Sequence, residues 1–209
     1  MRTLYYSPGA CSLAAHIILE EIGQPFRTER VAIREGAHLT PEYLALNPHA
    51  RVPTLVEDGF VLTESPAILS YLGHIAPQAQ LLDLDDLRNF GRTAQLLNYF
   101  SSTVHIAFAQ IWRSTRFAQG NAARGEVEQT GLESARRYFT ELEELARAGD
   151  WLVDNRFSIA DPYMLVFYRW GGLVGIDMAP YSAWTAHKDR IFERPAVQRA
   201  LAREQIEIE

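Results

Sequence analysis

Apolar residues recur at two different spacings along this chain, and the change falls near residue 80. Residues 2–6 and 26–33 are short runs of mixed β-formers. Between them Ala14, Ile18 and Ile22 fall on one helical line, with Ala15 and Leu19 beside it, and Gly23 supplies the stop. Thr40-Pro41-Glu42 has the order of an N-cap followed by proline at the first helical position. It predicts a short helix that runs to Leu46 and ends at Asn47-Pro48. Val52-Pro53-Thr54-Leu55-Val56, an Asp58-Gly59 turn and Phe60-Val61-Leu62 predict a hairpin. Ser65-Pro66 opens another helix, to about residue 75, by the same cap-plus-proline logic. The predicted order is β-α-β-α-β-β-α, a small mixed sheet with helices packed on it.

Residues 76–84 have no clear period, and Pro77 with the Gln-Ala-Gln stretch marks a linker. From residue 85 onward every periodic segment is helical. Residues 85–117 read as one very long helix. Residues 122–148 read as a second, with Glu133–Arg137 and Glu143–Arg147 at i,i+4. Shorter helices follow over 159–170, 181–192 and 195–204. The prediction is an α/β domain over 1–76 and an all-α domain over 85–209.

Of the 209 residues, 47% are hydrophobic, enough for a full core, and the net charge of −6 argues against a nucleic-acid or anionic-membrane partner. One cysteine excludes an intramolecular disulfide and fits a reducing cytoplasm. No signal-peptide core precedes the Pro8-Gly9 break, and no apolar run reaches the roughly 18 residues of a membrane span.

Cys11 and Ser12 fall where the first strand gives way to the first helix. Free N–H groups and the helix dipole favour negative charge there, so a thiolate has a lowered pKa. The ordinary alternative, a small buried Cys11 beside a plain Ser12 N-cap, weighs about as much. An X-Pro step at Pro53 can be cis where a turn demands it, but the sequence by itself favours a trans edge-strand proline. A functional reading exposes the Val52 backbone to an extended peptide. Glu64 and Ser65 at a helix start suit the ammonium and carboxylate of an amino-acid end, though a capping Ser65 beside a solvated Glu64 is the commoner meaning. Asn98, Ser101, Ser102 and His105 share one helical face that Phe108 and Trp112 extend, opposite an apolar line through Leu97, Phe100, Val104 and Ile111. Such a stripe lines a wet cleft with an aromatic roof, or is simply an exposed face. No His or Cys spacing predicts a metal site. Ser158 and Asp161 form an acidic capping box whose loss costs roughly 0.5–2 kcal/mol.

Together these segments resemble the cytosolic glutathione transferases, and most closely the bacterial beta class. The resemblance rests on Leu4-Tyr5-Tyr6-Ser7-Pro8-Gly9-Ala10-Cys11-Ser12-Leu13, Arg51-Val52-Pro53-Thr54-Leu55, Thr63-Glu64-Ser65, Asn98 with His105, Phe157-Ser158-Ile159-Ala160-Asp161 and Arg194-Pro195-Ala196-Val197. It implies a thioredoxin-like N-terminal domain, a helical C-terminal domain and a homodimer. It implies glutathione as co-substrate along Cys11, Val52, Pro53, Glu64, Ser65 and Asn98, catalysis by Cys11, Ser12 and His105, and an electrophile pocket with Phe108 and Trp112. Where the family pattern places lysines against the glycine carboxylate, this chain has Glu35 and Ile106, and Arg34 is the substitute on hand. The implied reaction joins the glutathione thiol to an electrophile. Lowering a thiol pKa from about 8.5 to about 6.5 requires roughly 2.7 kcal/mol of thiolate stabilisation, which the helix end, the Ser12 hydroxyl and a His105 imidazolium are expected to supply. The alternatives are thiol–disulfide or peroxide chemistry through Cys11, and a non-catalytic binding role.

Overall fold

A computed structural model describes residues 1–208 and turns the two spacings into two packed units. β1 (Arg2–Tyr6), β2 (Phe26–Arg30), β3 (Thr54–Glu57) and β4 (Phe60–Thr63) form one sheet in the order β2-β1-β3-β4. β2 runs parallel to β1, and β3 runs antiparallel to it with Leu55 opposite Leu4. A parallel pair needs a crossover, and α1 (Ser12–Ile22) provides it. β3 and β4 close at Asp58 and Gly59, both at positive φ, as a tight hairpin turn requires. β2 ends three residues earlier than the predicted run. β3 starts only at Thr54, and the preceding Val52–Pro53 peptide is cis, which corrects the expected trans proline within the strand.

α2 (Pro41–Leu46) begins as read from sequence, with Thr40 Oγ1 accepting the Tyr43 N–H at 3.3 Å. α3 (Ser65–Ile75) differs in its cap. Glu64 holds the N-cap position at φ 69°, and Ser65 is the first helical residue.

The predicted long helix is three pieces: α4 (Leu87–Tyr99), a π-helical turn over Phe100–Val104, and α5 (His105–Trp112). Asp86 caps α4 through the Arg88 and Asn89 N–H groups. The Ser101 and Ser102 hydroxyls both donate back to the Asn98 carbonyl, at 3.2 and 2.7 Å. Such back-bonding competes with the regular ladder. The widened turn offsets the faces on either side of it, so Asn98 and His105 do not share one stripe. The apolar line behaves as predicted: Leu97, Phe100 and Val104 are buried.

α6 (Asn121–Arg147) carries the Glu143–Arg147 pair at 2.9 Å. Arg137 instead turns to the Tyr138 hydroxyl, and Glu133 accepts from Gln129. α7 (Asp161–Leu173), α8 (Ser182–Phe192) and α9 (Pro195–Glu204) complete the chain. The predicted capping box is corrected in its positions: Ala160 holds the N-cap of α7 and Asp161 is the first helical residue, while Ser158 stands before it and puts its N–H and hydroxyl on Asp161 Oδ2 at 2.7 and 2.8 Å. Asp161 Oδ1 takes the Leu152 N–H and His187 Nε2, which ties α8 to α7.

One core crosses both units. α1 lies between the sheet and the helical domain, and Leu13, Ala14, Ile17 and Ile18 are fully buried there. The linker packs too. Leu81 and Leu82 are buried, and the Leu81 carbonyl accepts the Ile159 N–H at 2.9 Å.

Candidate active site

Five chain segments meet around Cys11: the N-terminus of α1, the loop before β3, the start of α3, and the facing sides of α5 and α7. Two of them are fixed from outside the cleft. The loop at residues 51–54 is held by Tyr43 and Asn47. The Tyr43 hydroxyl donates to the Arg51 carbonyl at 2.5 Å, and Asn47 Nδ2 donates to that carbonyl and to Thr54 Oγ1. Gly9, at φ 66°, donates its N–H to Glu204 Oε2 at 2.7 Å. Its carbonyl accepts Trp170 Nε1 at 2.9 Å. The other Glu204 oxygen pairs with His16 Nδ1 at 2.9 Å, with both side chains fully buried. The turn that carries Cys11 is therefore gripped by α7 and α9.

Cys11 Sγ donates to the Val52 carbonyl at 3.2 Å. Burial pushes the thiol up to about 11, against smaller lowering effects from a Ser65 hydrogen bond and the Arg113 charge. The expectation of a low Cys11 pKa is corrected: desolvation outweighs the helix end. Ser12 is also corrected. It is fully buried, and its hydroxyl accepts the Ser7 N–H and donates to the Ser7 carbonyl, both at 3.2 Å. Its hydroxyl shapes the Ser7–Ser12 turn rather than facing the Cys11 thiol. The Val52 carbonyl is occupied by Cys11. Among the described residues the Val52 N–H has no partner.

His105 is half-buried, with Nδ1 3.2 Å from the Tyr163 hydroxyl and its ring edge-on to Trp170 at 5.0 Å. Burial, then the charges of Arg113, Arg51 and Arg116, bring it down to about 4. His105 is a neutral imidazole near pH 7, which corrects the expected imidazolium. Tyr163 was missed in the sequence. It sits inside the apolar run of α7, where nothing marks its hydroxyl as different from core. Yet that hydroxyl faces His105 and Ser65, and burial keeps it protonated by raising its pKa well above the ordinary phenol value.

Glu64 is exposed and, among the described residues, carries no ion pair. Its φ of 69° is unfavourable for a residue with a Cβ, by roughly 1 kcal/mol or more. The buried Ser65 beside it opens the α3 N-terminus. Asn98 is not brought to this group. It is exposed on α4, and its amide donates to the Ala94 carbonyl at 2.8 Å. Phe108 is fully buried, parallel to Phe167 at 6.0 Å, and is core rather than pocket wall. Trp112, 45% exposed, is the aromatic a ligand can reach. Arg34 and Glu35 are exposed in a short 3-10 turn, and Ile106 is exposed on α5. Among the described residues no cluster of His, Cys, Asp and Glu could hold a metal ion, and no helix is long and apolar enough to cross a membrane.

Known proteins share this fold. The family models for the glutathione S-transferase N-terminal and C-terminal domains match residues 9–75 and 99–195. Glutathione S-transferase GstA of Escherichia coli O157:H7 is 32% identical, over 96% of this chain and 98% of its own. A glutathione transferase homologue from Sulfitobacter, solved with bound glutathione, superposes with a TM-score of 0.93 at 31% identity over 99% of both chains. The bacterial beta class enzyme of Sphingomonas chungbukensis gives 0.85 at 32% identity, over 97% of this chain and 98% of its own. The chain belongs to the glutathione S-transferase family, with the thioredoxin-like and helical domains of that fold.

Proposed function

We propose that this protein binds glutathione along the edge of the sheet and directs its thiol at an electrophile held over α5. The observation that carries the reading is the convergence on Cys11 of a free Val52 N–H, the Glu64-Ser65 helix start and the His105–Tyr163 pair. The γ-glutamyl end of glutathione has an ammonium for Glu64 and a carboxylate for Ser65 and the α3 N-terminus. Its peptide stretch pairs with the Val52 N–H, and its glycine carboxylate lies towards Arg34.

A neutral His105 does not act as an ion-pair partner. With the protonated Tyr163 phenol as the donor to Nδ1, His105 carries its hydrogen on Nε2. That N–H stabilises the thiolate by a hydrogen bond, together with the free N–H groups of α1. The thiol proton leaves to water. Direct chemistry at Cys11 is the weaker reading, because a buried thiol with a pKa near 11 holds little thiolate.

Two further parts of the reading concern setting. A homodimer is supported by apolar side chains left exposed on β4 and around the start of α4: Phe60 at 49%, Leu84 at 39% and Leu87 at 80%. Sedimentation equilibrium at micromolar concentration tests it, and a single 23.7 kDa species contradicts it. A cytoplasmic location fits the unpaired Cys11.

Retention on immobilised glutathione and conjugation of 1-chloro-2,4-dinitrobenzene test the function. Binding with conjugation is the expected result. Binding without any conjugation leaves a non-catalytic relative.

A further inference from the structure

Three arginines from separate places stand unpaired at the mouth of this cleft. Arg51 precedes Val52, Arg113 caps the C-terminal end of α5, and Arg116 ends the 3-10 turn that follows. Among the described residues none forms an ion pair or a side-chain hydrogen bond. Arg113 and Arg116 bracket the short turn after Trp112, whose ring packs on Trp170 beside His105, and Arg51 precedes Val52, whose carbonyl holds Cys11. All three oppose protonation of His105, and Arg51 and Arg113 both disfavour charge on Arg116. Arg113 also reaches Cys11 and His38. The chain as a whole carries −6, so this concentration of positive charge is local.

Apolar surface adjoins it. Ile106, Trp112 and Phe117 are 38%, 45% and 42% exposed. Trp112 sits edge-on to Trp170 at 5.1 Å, and Trp170 in turn faces His105. The Arg116 guanidinium lies 5.9 Å from the Phe117 ring centroid.

We infer that this mouth selects an electrophile that is itself an organic anion, its ring against Trp112 and Phe117 and its carboxylate or sulfonate on Arg113 and Arg116, with Arg51 adding to the field. Repelling guanidiniums are relieved by an anion, and an unpaired basic rim also raises the encounter rate of one. Beyond its amino-acid end glutathione brings a single carboxylate, set towards Arg34 in the proposed pose, which leaves Arg113 and Arg116 for a second anion. In the reaction the glutathione sulfur attacks the carbon that carries the leaving group. A carbon–sulfur bond forms, the carbon–halogen bond of an aryl halide breaks, the halide leaves with the electron pair, and the thiol proton goes to water.

The inference rests on the conjugation reading, so the test has one arm without chemistry. In that arm, fluorescence titrations at saturating glutathione compare 1-anilinonaphthalene-8-sulfonate with its uncharged analogue N-phenyl-1-naphthylamine. The sulfonate is expected to bind tighter. Its affinity should fall about tenfold in the Arg113→Gln, Arg116→Gln double variant, the effect of one charge-assisted hydrogen bond, while that of the neutral dye changes less. The second arm compares kcat/KM for 4-chloro-3,5-dinitrobenzoate and 1-chloro-2,4-dinitrobenzene. The anion-to-neutral ratio should fall about tenfold in the same variant, and taking the ratio cancels any effect on His105. Equal binding of the two dyes, loss of the sulfonate on adding glutathione, or an unchanged ratio overturns the inference. Absence of conjugation with either substrate overturns the function reading instead, and the dyes then decide the anion site alone.

Discussion

Glu204, at the end of α9, accepts the Gly9 N–H at 2.7 Å, two residues before Cys11 and 195 residues away in sequence. The same carboxylate holds His16 on α1. Glu204→Ala leaves a buried N–H and a buried imidazole without this acceptor. It should destabilise the protein by about 3 kcal/mol in urea unfolding. Glu204→Gln keeps an acceptor for one of them and should lose less. Equal stability of wild type and Glu204→Ala would show that the clasp does not hold the Cys11 turn.

Glu64 combines an exposed carboxylate with a φ of 69°. Glu64→Ala should weaken glutathione binding by roughly 1.5–3 kcal/mol, the range of a charge-assisted hydrogen bond. Glu64→Gly should lose the same affinity yet gain up to about 1 kcal/mol of stability, because glycine accepts that φ freely. Calorimetry with unchanged affinity in both variants removes Glu64 from the site.

The element order was legible in the sequence because caps, prolines and turns punctuate it. Thr40-Pro41, Asp58-Gly59 and Ser158 with Asp161 all act locally, within a few residues. The break between α4 and α5 was not legible. Ser101 and Ser102 only become ladder competitors once their hydroxyls turn to Asn98, and helical periodicity does not record that choice. The site divided in the same way. Cys11, Val52, Ser65 and His105 were named from sequence and meet in the fold. Their ionisation states were misread, because the burial that sets them comes from α7 and from loops far along the chain. Tyr163 was invisible for the converse reason: among core aromatics a hydroxyl declares a role only through what it faces.

The lowered pKa of His105 links folding to pH. Its folded value of about 4 lies below the unfolded value near 6.5. Between those values the unfolded chain binds more protons, so this group makes stability rise with pH from about 4 to 6.5 and level off above. The full effect is at most about 3 kcal/mol, reduced by water at the partly open ring. In His105→Gln this part of the slope should disappear. Urea midpoints measured from pH 4.5 to 7.5 decide it, and parallel curves for variant and wild type contradict the assignment.

In the proposed function, control of the glutathione thiol divides among Cys11, His105 and Tyr163, and their environments rank them. Cys11, with a pKa near 11, is about one part in ten thousand thiolate at pH 7. Oxidised glutathione should therefore form a mixed disulfide on Cys11 only slowly at neutral pH. Between pH 7 and 9 the rate should rise about tenfold per pH unit, which intact-protein mass spectrometry can follow. Cys11→Ala should keep most conjugation of an aryl halide, because the sulfur that attacks belongs to glutathione. His105→Ala should lower kcat/KM more, by roughly ten- to hundredfold, the effect of one lost hydrogen bond to a developing thiolate. Tyr163→Phe keeps the ring and its packing but frees His105 Nδ1, so the imidazole no longer prefers the tautomer that donates from Nε2. Its loss should fall between the other two, and it should be absent in the His105→Ala background, where there is no tautomer left to fix. Additive losses in the double variant would separate Tyr163 from His105. Complete loss of conjugation in Cys11→Ala would make the cysteine the obligatory centre.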